Sequence, residues 1–118
     1  AMVRSWPKVI NDKNHIAFCH KTSGIVDGIF LSRLQDNSYF MENYLVAYEI
    51  ANHADPNLNH IARSRIMLAM RNEAEKRMQA LGVKSFFLST HPEQVDGMEA
   101  NLDRNGYRLI GRYRVKEF

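Results

Sequence analysis

Ile66, Met70, Ala74, Met78 and Leu81 follow one another at spacings of four, four, four and three residues. On a helix of about 3.6 residues per turn these positions form a single apolar stripe. Arg71, Glu75, Lys76 and Gln79 fall on other faces. Asn57 or Asn59 can cap the start of the helix, and Gly82 stands where a left-handed cap is expected. The segments on either side keep a different period. In NYLVAYEIA (43–51), Tyr44, Val46, Tyr48 and Ile50 alternate with Leu45, Ala47, Glu49 and Ala51. Both faces are mostly apolar, which predicts a central strand, and Glu49 is the odd member. VKSFFLST (83–90) is a largely apolar run and predicts an interior strand. A strand, a long helix and another strand imply a parallel pair, since a crossover of this length brings the chain back alongside itself.

The remaining segments predict antiparallel neighbours for that pair. HIAFCHKT (15–22) reads as a strand ended by Ser23-Gly24, and GIVDGIFLSRLQD (24–36) as its hairpin partner. Gly28 inside the second strand marks a bulge or a close approach of another element. Thr90-His91-Pro92-Glu93 has the form of a capping box, and Val95, Met98 and Leu102 continue it as a short helical stripe ending at Asn105-Gly106. The tail YRLIGRYRVKEF (107–118) alternates again and is expected to form one last strand. Its cations Arg108, Arg112, Arg114 and Lys116 share a face, either along a phosphate backbone or guarding an exposed strand edge. The predicted order is β-β-β-α-β-α-β. This is an α/β chain of α+β type, with a mixed, mostly antiparallel sheet and helices packed on it.

The 118 residues fit one domain, 1–118, whose first 14 residues are weakly patterned. A start of Ala1-Met2 reads as an added remnant, so a larger parent chain is one expectation. No run approaches the ~18 apolar residues of a membrane span, and the opening AMVRSWPKV has no apolar core of a signal peptide. The single Cys19 fits a reducing cytoplasm and reads as a buried, inert thiol. A net charge of +3 is compatible with an anionic coenzyme or polymer without selecting either. The five histidines have no metal-ligand spacing, and there is no Walker, GxSxG or CxxC motif. No metal site is therefore expected.

Three local signatures in this order resemble the GCN5-related N-acetyltransferase (GNAT) superfamily over roughly residues 15–115. Asp55-Pro56 closes the long apolar strand. MLAMRNEAEKRMQALGVKSFFLST is similar to the family's crossover helix running into its next strand. LDRNGYRLIGRY is similar to its closing helix and last strand. The resemblance implies a GNAT-like fold and acyl transfer from acetyl-CoA, or another acyl-CoA, to an amine by direct attack. It also implies that the turn after the long strand holds the coenzyme pyrophosphate. Anions favour such a turn because its amides are unpaired and the helix dipole lies behind them. The implied coenzyme-binding residues are Ala54, Asn57, Leu58, Asn59, His60, Ile61, Ala62, Arg63 and Arg65. His60 stands where the family has its first glycine and Ala62 where it has the second.

For catalysis the resemblance points to Glu49 as a base, and to His53 and His91 at the ends of the two strands that part to admit pantetheine. Glu49 also reads as the partner of Arg33, and the two histidines as solvated loop residues. The family's tyrosine acid corresponds to Leu102, which carries no proton, and Tyr107 matches an aromatic packing position. Too few residues precede HIAFCH for the family's opening strand and helices. The acceptor pocket is then open, shared in a homodimer, or supplied by a larger parent chain. A rival reading is a non-catalytic GNAT-like module for structure or recognition, such as a domain of a bacteriophage virion protein. Nucleic acid is the least favoured partner and a membrane is not expected.

Overall fold

The computed structural model describes residues 14–37, 44–89, 98–110 and 113–118. Strands β1 (His15–Thr22), β2 (Ile25–Asp36) and β3 (Leu45–Ala54) precede helix α1 (His60–Leu81). Strand β4 (Ser85–Ser89), helix α2 (Met98–Arg104) and strands β5 (Arg108–Ile110) and β6 (Tyr113–Glu117) follow. The six strands form one sheet in the order β1-β2-β3-β4-β6-β5. Every pairing is antiparallel except β3 with β4, the pair joined by α1.

The local chemistry explains most of these boundaries. Ser23 and Gly24 both have positive φ, 52° and 80°, as a two-residue hairpin turn that follows the strand twist requires. Asn59, not Asn57, caps α1, its side chain accepting from the Ala62 amide at 2.9 Å. Gly82 ends the helix with φ 81°. The apolar stripe lies in the core, where Ile66, Met70, Ala74 and Met78 are buried. Leu81, the last member and the final residue of the helix, is 55% exposed.

Gly28 serves both purposes its position suggests. The β1–β2 register shifts beside it, leaving Asp27 as an extra residue. A Cβ at Gly28 would also lie 2.7 Å from Ile66 Cγ2 and 2.9 Å from Met70 Cε. The bare backbone therefore lets α1 sit directly on β2.

Three expectations need correction. The tail is not one strand: β5 and β6 form an antiparallel hairpin, with β6 inside the sheet and β5 at its edge. Two of its cations do not guard an edge: Arg114 is 5% exposed and binds Asp103, and Lys116 binds Glu75. Arg108, on the edge strand, is exposed and pairs with Glu117, and Arg112 lies outside the described residues. The alternation in β3 also breaks. Ser32 pairs with Glu49 but Leu31 with Ala51, so Ile50 is the extra residue of a bulge and is 53% exposed. A bulge reverses which residues face which side. Leu45, Ala47 and Glu49 face α1 before it, and Asn52 and Ala54 after it.

Candidate functional site

The strand-to-helix turn at 55–59 is built from short side chains that bond their own backbone. Asp55 Oδ1 accepts from the Asn57 amide at 2.9 Å, and the Asp55 carbonyl accepts from Leu58 N at 3.2 Å. Arg63 N donates to the Asn59 carbonyl at 3.0 Å, the first bond of the helix. The amides of Asn57, Leu58, Ala62 and Arg63 are thus engaged within the turn. Those of His60 and Ile61 have no partner among the described residues, as the first positions of a helix require.

The predicted coenzyme residues divide by position. Ala54 is 1% exposed and belongs to the core beneath the turn, and Leu58 packs against that core. Asn57, Asn59, His60, Ile61 and Arg65 are exposed. Arg63 is half-buried, and its Nε is enclosed with no hydrogen-bond partner. His60 therefore occupies the glycine position without burying its ring.

A cleft of about 500 Å³ opens on one flank of this helix end. Leu58, Ala62, Arg65 and Ile66 form its helix side, and Ile25, Asp27, Thr22 and His20 its hairpin side. His20 Nδ1 lies 2.6 Å from Asp27 Oδ1, and Thr22 Oγ1 donates to Asp27 Oδ2 at 2.5 Å. Burial pushes the Asp27 carboxyl up, but hydrogen bonds from Thr22 and His20 outweigh it and leave the pKa below its ordinary value. The sequence reading missed this pair. Its one signal was Gly28, whose bulge turns Asp27 toward His20.

The second opening lies between β3 and β4. They pair only at Val46–Ser85, Ala47–Phe86 and Tyr48–Phe87. β4 then continues on β6 through Ser89, while β3 continues on β2 through Ala54. Beyond Tyr48 the free side of β3 has no partner strand among the described residues, and the Ile50 bulge sits at the start of this separated stretch. Tyr48 and Phe87, on the face away from α1, stack at 5.1 Å with 16° between their planes. The Arg33 guanidinium lies 5.5 Å from the Tyr48 ring, so Arg33 is on the opposite face from Glu49.

Glu49 points toward α1, half-buried. Burial raises its pKa to about 7, against the opposing effects of a hydrogen bond with Asn52 and the Arg71 charge. His53 is exposed near the end of β3, and His91 lies outside the described residues.

Behind Glu49 is a polar cluster that joins Arg71 and Glu75, read from the sequence as lying off the apolar stripe, to Tyr107, read as core. Arg71 and Glu75 are 2% and 8% exposed. Glu75 accepts from Lys116 Nζ at 2.6 Å and from Tyr107 Oη at 2.7 Å. Arg71 binds Asn101 of α2, and its Cζ lies 5.2 Å from the Tyr107 ring centre. Tyr107 is 2% exposed. Burial first, then the bond to the Glu75 carboxylate, pushes its phenol far above the ordinary range. It is a core residue rather than a proton donor, and Leu102, 2% exposed, is core as well.

Among the described residues, no group of His, Cys, Asp and Glu side chains can hold a metal ion, and no helix is long and apolar enough to cross a membrane. No protein-family model matches the sequence, and no curated protein matches it. Solved structures do. The PaiA N-acetyltransferase from Thermoplasma acidophilum, in complex with coenzyme A, matches 99% of this chain over 67% of its own, at TM-score 0.66 and 18% identity. An aminoglycoside 6'-acetyltransferase type Ii matches 97% of this chain over 75% of its own, at TM-score 0.72 and 13% identity. A transcriptional regulator from Bacillus halodurans C-125 matches 90% over 67%, at TM-score 0.67 and 17% identity. With this strand order and single parallel crossover, the protein has the fold of the GCN5-related N-acetyltransferase superfamily.

Proposed function

We propose that the protein is an acyl-CoA-dependent N-acyltransferase. The observation that carries this reading is the parting of β3 and β4 after three paired residues, beside a helix end with two open amides. From Tyr48 to Ala54 the separated stretch is about 20 Å at about 3.3 Å per residue, the order of an extended pantetheine arm. The His60 and Ile61 amides and the helix dipole would hold the pyrophosphate. Exposed Arg65, which lines the cleft beside the helix end, would add a charged donor. The turn needs no glycine for this, because the His60 side chain is exposed and leaves its own amide clear.

Acyl-CoA supplies an acyl group activated as a thioester. The attacking amine forms the C–N bond as the C–S bond breaks, and sulfur leaves with the electron pair. With a pKa near 7, Glu49 can take the proton the ammonium must lose at neutral pH. The sulfur is then protonated from solvent, since Tyr107 and Leu102 are committed to the core. Holding the two reactants together supplies much of the rate.

Thermal melting with CoA and acetyl-CoA tests the reading. The expected result is a raised midpoint with each, because a ligand that binds only the folded state stabilises it. No shift at millimolar coenzyme would overturn it. His60→Gly is expected to keep or improve the shift. A second reading, a non-catalytic module on the same fold, draws support from the four turn amides already engaged and from leucine at the acid position. It predicts no shift.

A further inference from the structure

The point where β3 and β4 meet is closed in an asymmetric way. In the plane of the sheet the paired backbones of Ala47–Phe86 and Tyr48–Phe87 shut it. On the α1 side the Phe86 ring is fully buried, edge-on to Phe30 at 6.3 Å and to Tyr107 at 6.2 Å. On the other side the barrier is the Tyr48–Phe87 stack. Both of its members are half-buried rather than locked in the core.

Resting on the acyltransferase reading, we infer that the Tyr48–Phe87 stack is the stop that limits the length of the transferred acyl chain, selecting acyl groups of two or three carbons. A pantetheine arm that enters from the helix end runs toward the join, so its thioester lies at the far end and the acyl tail meets the stack. Two flat rings in contact leave no channel between them, and Arg33 over Tyr48 holds the outer ring in place. Phe86 blocks the other face by packing on which the whole core depends. The stack is thus the wall that a small change can open without dismantling the sheet. A hydrophobic wall discriminates by roughly tenfold or more per methylene when the site cannot yield.

The test is a ladder of free CoA, acetyl-, propionyl-, butyryl- and hexanoyl-CoA, titrated against the protein and read as melting midpoint and dissociation constant. The parent protein is expected to bind acetyl-CoA at least as well as CoA and to lose about tenfold or more by butyryl-CoA. Phe87→Ala should restore butyryl-CoA while leaving CoA itself unchanged, and Tyr48→Ala should restore butyryl-CoA relative to CoA. Phe87→Leu and Tyr48→Leu, which keep apolar bulk but remove the stack, provide the same readout if the alanine variants do not fold. Equal affinity along the ladder in the parent overturns the inference alone, as does unchanged discrimination in variants that still bind CoA. A parent protein that binds no member of the ladder sinks the acyltransferase reading first, and this one with it.

Discussion

The two ends of α1 use polar residues in opposite ways. Two turns and more into the helix, Arg71 and Glu75 are buried and tied to Asn101, Tyr107 and Lys116. At its N-terminus the His60 and Ile61 amides, the Arg63 Nε and exposed Arg65 have no partner among the described residues. The inner cluster gathers two carboxylates, Glu49 and Glu75, with two cations, Arg71 and Lys116. Such a group is held in place because removing one member strands another in a poorly solvated site. His60, Ile61 and Arg65 at the outer end are exposed, where an unmet donor costs little because water can satisfy it. One helix thus serves as a fold clamp over one half, and on the proposed function its other end would face the coenzyme.

The largest test of that contrast is Glu75→Ala. It leaves Arg71 and Lys116 without their shared carboxylate and the Tyr107 hydroxyl without an acceptor. A loss of about 3 kcal/mol in denaturant unfolding is expected. A loss below about 1 kcal/mol, the usual value of an exposed pair, would show that the inner cluster is no clamp.

Glu49 sits on the border between the halves and has a pH signature. Its folded pKa, about 7, is above the ordinary 4.5, so the folded state keeps a proton that the unfolded chain has released. Its contribution is fully present below about pH 4.5 and is lost as pH rises through 7, by about 3 kcal/mol. Glu49→Gln should flatten that decline and narrow the gap to the parent at low pH. An unchanged stability profile between pH 5 and 8 would remove Glu49 from the buried group. If it acts as base, the same variant lowers turnover while leaving the coenzyme melting shift intact.

The smallest stability effect is expected at the open end. Arg65→Ala should change unfolding free energy by no more than about 0.5 kcal/mol, yet reduce the midpoint shift given by CoA. A large loss of stability without coenzyme would mean that this end, too, is committed to the fold.

Much of the architecture was legible in the residues because it depends on periodicity. The stripe from Ile66 to Met78 could be buried only as a helix, and its position between two apolar strands forced the parallel pair. Asn59, Gly82 and the Ser23-Gly24 turn marked boundaries by local backbone chemistry. The candidate turn was legible for the same reason, since its hydrogen bonds join residues close in sequence. What could not be read depends on where distant segments meet. Arg71 and Glu75 look solvent-facing beside the stripe, and only the arrival of Lys116 and Tyr107 from the last hairpin buries them. The split of the tail into β5 and β6 follows from the place that hairpin takes beside β4.

The sequence by itself determined the β-α-β crossover and the capped helix end, because each is set by contacts within a few turns of chain. Tertiary structure alone decided the Ile50 bulge, the split of the tail into β5 and β6, and the burial of Arg71 and Glu75. Register and desolvation are properties of the neighbours a residue acquires, and no single stretch of chain encodes them.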